Sequence, residues 1–178
     1  MAIQPQYIKR TTETLRDIAG DVIVLLKQAG ETVGVAESLT GGGVMAALTS
    51  VGGASAVFRG GVVSYATPLK QQLLNVDADL ISQHGVIHGD VAQQMAAGAR
   101  SITAIEDPAT WGIGTTGVAG PRTQDGKPVG TVFIGIASPE KSWNLGPFHF
   151  PGDRDQVRQA TISEALAQFR EILRSRIV

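Results

Sequence analysis

The chain alternates between runs typical of helices and runs typical of β-strands. The first helical run, residues 14–29, places apolar residues on one face and stops at Gly30, a residue common at helix C-termini. A final helix is predicted over residues 153–176. Five runs typical of strands lie between them, at 32–36, 61–65, 110–115, 130–137 and 143–150. This alternation predicts an α/β fold in which helices cover a sheet.

The last two predicted strands are separated only by residues 138–142, which is too short for a crossover helix. They should therefore form an antiparallel hairpin on an otherwise parallel sheet. The predicted fold class is an α/β, three-layer αβα sandwich with a mostly parallel mixed sheet that ends in an antiparallel hairpin. With 178 residues, 43% of them apolar, residues 1–178 are expected to form a single domain, with residues 1–10 as a flexible N-terminal extension.

Composition excludes several classes of function. The formal net charge is −1 and like charges do not cluster, which argues against binding to nucleic acid or to an anionic membrane surface. No stretch approaches the roughly 20 apolar residues of a membrane span, and the first ten residues lack the apolar core of a signal peptide, so a cytoplasmic protein is expected. Because the chain has no cysteine, covalent chemistry would need Ser, Thr, Lys or a carboxylate.

Residues 36–43, AESLTGGG, connect the first predicted strand to an apolar run that begins like a helix. A hydroxyl at the end of a strand, followed by glycine amides that face an incoming helix, suits a nucleophile or a bound anion. Ser38 and Thr40 could instead only cap that helix. Glu37 could orient the turn through backbone hydrogen bonds or hold a contact between subunits.

Two other glycine-rich stretches imitate nucleotide-binding motifs without their context. Residues 112–117 read GIGTTG, but the Ala-Gly-Pro at 119–121 cannot open the helix of a dinucleotide-binding fold. Residues 120–127 depart from a P-loop in spacing, and Pro128 replaces the hydroxyl that binds magnesium. The three histidines are too scattered to predict a catalytic triad or a metal site.

Three loops should nevertheless meet. Ser38 follows the first strand, Tyr65 and Lys70 lie just past the second, and residues 115–121 end the third. The carboxyl ends of parallel strands face one crevice, so the sequence predicts a composite pocket there.

These loops resemble the CinA C-terminal-domain family over roughly residues 14–169. The segments that carry the resemblance are 36–42 (AESLTGG), 58–65 (FRGGVVSY) with Lys70, 116–121 (TGVAGP), 127–132 (KPVGTV) and 152–154 (GDR). The family includes the nicotinamide-nucleotide amidase, which converts nicotinamide mononucleotide and water to nicotinate mononucleotide and ammonia in pyridine nucleotide salvage. The resemblance therefore implies amide hydrolysis, in a stand-alone form without the molybdopterin-binding-like domain of full-length CinA proteins.

The resemblance assigns the nucleophile to Ser38 and its base to Lys70, with Tyr65 relaying or positioning the proton. A serine hydroxyl needs such a base, and a lysine can act as one only if burial or a cationic neighbour lowers its pKa.

The remaining expected roles concern the substrate. The oxyanion needs fixed donors. Candidates are the backbone amides of Gly41 and Gly42, the Thr116 hydroxyl and the Gly117 amide. Thr40 is expected to bind substrate with this loop. Arg154, at the start of the last helix, is the first choice for the 5′-phosphate and Arg122 the second. The resemblance implies no metal and no organic cofactor, and a homo-oligomer is expected.

Two departures from the family pattern leave an alternative. Leu39 stands where many members have cysteine, and residues 85–90 read GVIHGD, with His88 and Gly89 in place of a pattern closer to Gly-Ala-Val-Ser-Glu. The alternative is a catalytically weak or silent member that binds a nucleotide-like ligand or a protein partner, in keeping with the competence and damage-inducible names of some relatives. A third hypothesis, intermediate between the nicotinamide-nucleotide amidase and the silent binding protein, is an amidase that hydrolyses a different carboxamide.

Overall fold

The computed structural model describes residues 12–176. Within them the chain forms six α-helices and five β-strands. The helices are α1 (Leu15–Ala29), α2 (Gly43–Thr49), α3 (Thr67–Leu74), α4 (Ala78–His84), α5 (Gly89–Ile102) and α6 (Arg154–Ser175); the strands are β1 (Val33–Glu37), β2 (Phe58–Val63), β3 (Trp111–Gly117), β4 (Thr131–Ala137) and β5 (Ser142–His149). The predicted extension at residues 1–10 lies outside the described residues.

The five strands form one mixed sheet in the order β2-β1-β3-β4-β5. Strand β1 pairs in parallel with β2 and β3, whereas β4 is antiparallel to both of its neighbours. Helices α1, α2 and α6 pack together over one face, and α3 and α5 pack over the other. The predicted αβα sandwich and its C-terminal hairpin are thus confirmed. Within residues 12–176 no helix is both long and apolar enough to cross a membrane.

The ends of the first and last helices follow from local sequence. Thr14 caps α1 through a reciprocal pair of bonds with Asp17, and Gly30 ends the helix in the left-handed conformation at φ 66°. Asp153 and Gln156 form the equivalent box at the start of α6. Both helices therefore begin and end within about two residues of their predicted limits.

The second strand differs from its prediction. It begins at Phe58, three residues before the predicted start, and ends at Val63. The Ser64 amide still donates to the Glu37 carbonyl at 2.9 Å, after which the chain turns into α3, whose first turn contains Pro68. Tyr65, at the last position of the predicted 61–65 run, consequently lies in the loop just past the strand, where the predicted pocket needs it.

The glycines of the GIGTTG stretch allow α5 to lie close to the sheet. A Cβ on Gly112 would run into the Ala96 carbonyl oxygen of α5, and one on Gly114 would run into the Ala92 carbonyl oxygen. These two glycines therefore have a packing role, which explains a nucleotide-like pattern in a segment without the nucleotide-binding context.

Candidate active site

The ends of β1, β2 and β3 meet at one cavity of about 230 Å³, as the parallel topology predicts. Its lining includes the predicted residues Ser38, Tyr65, Lys70, Gly117 and Arg154, together with Arg122. Among the lining residues of the described chain, three are cationic and none is a carboxylate. The cavity therefore has the electrostatics of an anion-binding site.

Lys70 extends from α3 to the nucleophile candidate. Its Nζ lies 3.1 Å from the Ser38 Oγ and donates to the Ser64 carbonyl at 2.7 Å. The residue is only 1% exposed, and no carboxylate of residues 12–176 forms an ion pair with it.

Burial lowers the pKa of Lys70 to about 8, because the charged form loses water without gaining a counterion. Roughly a tenth of the molecules then hold a neutral amine at pH 7. A neutral amine within hydrogen-bond distance of a serine hydroxyl can accept its proton.

Tyr65 and Arg154 lie together at the mouth of the cavity. The Arg154 Nη2 donates to the Tyr65 hydroxyl at 2.7 Å, and Nη1 donates to the Gly120 carbonyl at 2.6 Å. Tyr65 is 59% exposed. Arg154, predicted to bind the substrate phosphate, therefore contacts Tyr65, predicted to relay the proton. Both side chains are accessible to a substrate.

The turn that carries Ser38 is held by an anion on one side. The Glu37 side chain is fully buried, and its carboxylate accepts the backbone amides of Gly42 at 3.0 Å, Val44 at 3.1 Å and Met45 at 2.8 Å. These amides belong to the start of α2, whose N-cap residue is a glycine and for which residues 12–176 supply no other side-chain cap. The orienting role left open for Glu37 thus fits the structure.

A cation holds the other side of the same turn. The Arg158 Nε donates to the Leu39 carbonyl at 3.1 Å and Nη2 donates to the Thr40 carbonyl at 3.3 Å. Arg158 is not among the predicted site residues. One signal in the sequence could have found it, because it lies four residues after Arg154 and therefore on the same face of α6.

The glycine loop does not supply the expected oxyanion donors. The Gly41 amide donates to the Ser38 carbonyl at 3.1 Å, and the Gly42 amide is taken by Glu37. Thr40 is fully buried and shares a hydrogen bond of 2.8 Å with the Thr115 hydroxyl. In the described part of the chain these three residues do not line the cavity, and their polar groups are occupied by the Ser38 carbonyl, the Glu37 carboxylate and the Thr115 hydroxyl.

Thr116 is also turned away from the expected role. Its hydroxyl donates to the Val86 carbonyl at 2.7 Å, and the residue is fully buried. Val86 is fixed from the other side as well, since its amide donates to the Asp125 carboxylate at 2.7 Å. Thr116 and Asp125 thereby position a cavity wall, and of the two predicted donors at this strand end only Gly117 lines the cavity.

The CinA C-terminal domain family model matches residues 15–173. The chain belongs to this family. A CinA-like protein of Frankia casuarinae is 46% identical over 156 residues, which cover 88% of this chain and 35% of that protein, so the chain spans about one third of that relative's length.

Two solved structures share the CinA fold. A CinA superfamily protein from Escherichia coli has a TM-score of 0.87 at 25% identity, covering 94% of this chain and 95% of the other. The competence damage-inducible protein A from Klebsiella pneumoniae has a TM-score of 0.85 at 28% identity, covering 91% and 98%.

The structure locates the departures from the CinA pattern. Val86 and Ile87 line the cavity, whereas His88 is not among its described lining residues. The His88 Nδ1 accepts the Asp90 amide at 3.2 Å and caps α5. The ring of His88 stacks on that of His84 at 4.9 Å. Within residues 12–176 no three His, Asp or Glu side chains are grouped to hold a metal ion. The altered loop of this CinA member thus changes a helix cap, while the two residues of that loop that line the cavity, Val86 and Ile87, are apolar.

Proposed function

We propose that this CinA-family chain is an amidase that hydrolyses the carboxamide of nicotinamide mononucleotide to nicotinate mononucleotide and ammonia. The observation that carries the proposal is the 3.1 Å contact between the Lys70 Nζ and the Ser38 Oγ, made by a lysine that burial holds partly neutral. A serine paired with such a lysine is a nucleophile paired with its base.

In the first step the Lys70 amine accepts the Ser38 proton while Oγ bonds to the carboxamide carbon. The carbonyl π-electrons move to oxygen and give a tetrahedral oxyanion. The Leu39 amide directly follows the nucleophile and has no acceptor within residues 12–176, so we assign it the oxyanion. It takes the place of the occupied amides at Gly41 and Gly42.

Collapse of this intermediate breaks the C–N bond and leaves an ester on Ser38. The departing nitrogen takes a proton from the Lys70 ammonium, which becomes neutral again, and ammonia leaves. Water then attacks the ester with Lys70 as base, and Lys70 returns that proton to the Ser38 oxygen as the C–O bond breaks. The second water hydrogen stays on the carboxylic acid, which loses it to solvent and leaves as the carboxylate. We assign the relay of these protons to Tyr65, which lines the same cavity.

The cationic mouth of the cavity supports a phosphorylated substrate. Arg154 and Arg122 both line the cavity, and a guanidinium binds phosphate through paired N–H groups. Arg154 already donates to two neutral oxygens, so a phosphate would replace weaker partners with a charged one.

The test is ammonia release from nicotinamide mononucleotide by purified protein. Ser38→Ala and Lys70→Met should each lower kcat by about 10³-fold or more, whereas Arg154→Ala should mainly raise KM by about 10–100-fold. Arg16→Ala, at an exposed arginine of α1, is the matched control and should behave as wild type.

Nicotinamide riboside, which lacks the phosphate, separates the two arginine effects. If Arg154 binds phosphate, wild type should hydrolyse the riboside with a raised KM, and Arg154→Ala should add little to it. Binding of the mononucleotide without any ammonia release would replace the amidase with a binding role. Release that survives in Ser38→Ala would remove the proposed nucleophile.

A further inference from the structure

Ser64 carries a buried hydroxyl that has no hydrogen-bond partner among residues 12–176. The residue is 0% exposed, and no described donor or acceptor bonds to its Oγ. Most buried side-chain oxygens are hydrogen-bonded, because leaving one unpaired costs free energy. Within the described residues only one other side-chain atom is in this state, the Oγ1 of Thr131.

The strand register places Ser64 beside the nucleophile. Glu37 pairs with Val63 in the parallel ladder, so the next residues, Ser38 and Ser64, are neighbours where the two strands end. The Ser64 carbonyl accepts the Lys70 Nζ at 2.7 Å. The unpaired hydroxyl therefore belongs to the residue that already holds the lysine.

The Lys70 amine has one more hydrogen than it has acceptors. An ammonium group carries three hydrogens, and within residues 12–176 its acceptors are the Ser64 carbonyl and the Ser38 hydroxyl. In the neutral amine, Ser38 donates to the nitrogen, the Ser64 carbonyl accepts one N–H, and again one N–H is left over. A buried donor without an acceptor thus lies next to a residue with an unpaired buried acceptor.

We propose that Ser64 is a positioning residue whose side-chain hydroxyl accepts the remaining hydrogen of the Lys70 amino group. A single χ1 rotation redirects a serine hydroxyl. The bond is strongest when Lys70 is an ammonium, because hydrogen bonds from a charged donor are about twice as strong as neutral ones. Ser64 therefore stabilises the species formed when the Ser38 proton reaches Lys70, and no covalent bond to Ser64 forms or breaks.

The inference rests on the proposed function of Lys70, but its first test does not require catalysis. The ionisable groups that share the cavity with Lys70 are Tyr65, Arg122 and Arg154, and the nearby Glu37 carboxylate is occupied by three amides. All four remain in a Ser64 variant. A change in Lys70 titration on removal of the hydroxyl therefore reports on Ser64.

The experiment follows the Lys70 side-chain NMR signals across pH in ¹³C,¹⁵N-labelled protein, with Lys70→Met used to assign them. Ser64→Ala should lower the Lys70 pKa by about half a unit or more, because it removes an acceptor that favours the ammonium. Ser64→Thr keeps a hydroxyl and should restore most of the shift. Thr131→Val removes the other unpartnered hydroxyl and should leave the Lys70 pKa unchanged.

Ser64→Cys provides a second variant in case the alanine variant does not fold, because it keeps nearly the same volume with a weak acceptor. Its Lys70 pKa should also fall. An unchanged or raised pKa in the folded Ser64 variants would overturn the proposal, as would an equal shift in Thr131→Val.

Activity gives the second readout. In Ser64→Ala, kcat for nicotinamide mononucleotide should fall several-fold at constant KM, and the acid limb of kcat/KM should move to lower pH. If wild type releases no ammonia, the proposed reaction fails while the titration still decides the role of Ser64. If the pKa shifts as expected but the acid limb does not move, the Ser64 hydroxyl bonds to Lys70 without affecting proton transfer, and the claim that it stabilises the species formed when the Ser38 proton reaches Lys70 is overturned.

Discussion

At the scale of the residue, burial of Lys70 lowers the stability of the fold and also makes its amine available as a base. Its folded pKa of about 8 lies below the ordinary value of 10.5. Between these two values the unfolded chain binds more protons than the folded one, so the free energy of unfolding should rise as pH increases through that window. Below about pH 8 both states are charged, and the folded state bears the full cost of burying the ammonium.

Lys70→Met should therefore stabilise the protein while it removes activity. At pH 7 the gain should be about 1–3 kcal/mol, and it should shrink at pH 10, where the wild-type amine is already neutral in the folded state. Urea denaturation at the two pH values measures both quantities. Lys141→Met, at an exposed lysine, is the control, and a gain for Lys70→Met no larger than its effect would contradict the argument.

Glu37 lies one residue before the nucleophile and acts only through the backbone. A glutamine there has one acceptor oxygen in place of two and directs N–H groups toward backbone amides. Glu37→Gln should lower the free energy of unfolding by about 2–4 kcal/mol and also lower kcat, because the Ser38 turn loses its fixed geometry. Thermal unfolding with the ammonia assay measures both effects. Glu106→Gln, at an exposed carboxylate, should change neither, and a Glu37 variant as stable as this control would refute the capping role.

At the scale of the element, the contact between α5 and β3 depends on residues without side chains. An alanine Cβ at Gly114 would lie 2.8 Å from the Ala96 amide nitrogen and closer still to the Ala92 carbonyl oxygen. Gly114→Ala should therefore destabilise the protein by several kcal/mol, about 2–4, because backbone must move.

Gly20→Ala is the matched comparison, since Gly20 lies inside α1 and an alanine Cβ there would meet no described atom within 4 Å apart from its own helix backbone and chain neighbours. It should raise stability by about 0.5–1 kcal/mol through helix propensity. Denaturant unfolding of both variants tests the pair. If both substitutions change the free energy of unfolding in the same direction, the close packing of α5 against β3 is not the reason for a glycine at position 114.

Local signals account for the elements that the sequence predicts well. The capping residues at Thr14 and Asp153 mark the first turns of α1 and α6, and the short connection at 138–142 requires the hairpin. The local pattern predicts that β2 begins at 61 because Arg59 and Gly60 interrupt its apolar run, yet pairing with β1 carries the ladder back to Phe58. A strand's limits depend on its partner, which the local pattern does not contain.

The candidate site likewise has features that the sequence predicts and features that it does not. Convergence of Ser38, Lys70 and Gly117 follows from parallel topology alone. The Thr40 hydroxyl is hydrogen-bonded to Thr115, 75 positions away in the sequence. The Thr116 hydroxyl is hydrogen-bonded to the Val86 carbonyl, 30 positions away. Such distant pairings decide whether a hydroxyl faces a ligand or the core, so residue type and spacing predict the cavity but not every group that lines it.

At the scale of the whole molecule, an ion-pair network joins α1 to α6 away from the cavity. The Arg170 side chain is only 3% exposed and donates to the carboxylates of Glu13 at 2.8 Å and Asp21 at 2.9 Å. The hydrogen bonds from Arg170 to Glu13 raise the pKa of the Arg170 guanidinium above its ordinary value, so its charge is permanent. Arg170 is 16 residues from Arg154 on the same helix, a separation of about 24 Å.

This distance lets stability be separated from catalysis. Arg170→Met should lower the free energy of unfolding by about 1–3 kcal/mol, because it removes the buried cation that the Glu13 and Asp21 carboxylates share, yet kcat and KM at 25 °C should stay at wild-type values. Arg174→Met removes an exposed arginine that contacts the same Asp21 and should cost less than about 1 kcal/mol. Urea denaturation and the ammonia assay on both variants decide the matter. Equal losses of stability would show that burial of Arg170 adds nothing to its pairs, and a change in KM would show that the position of α6 at the cavity depends on this distant network.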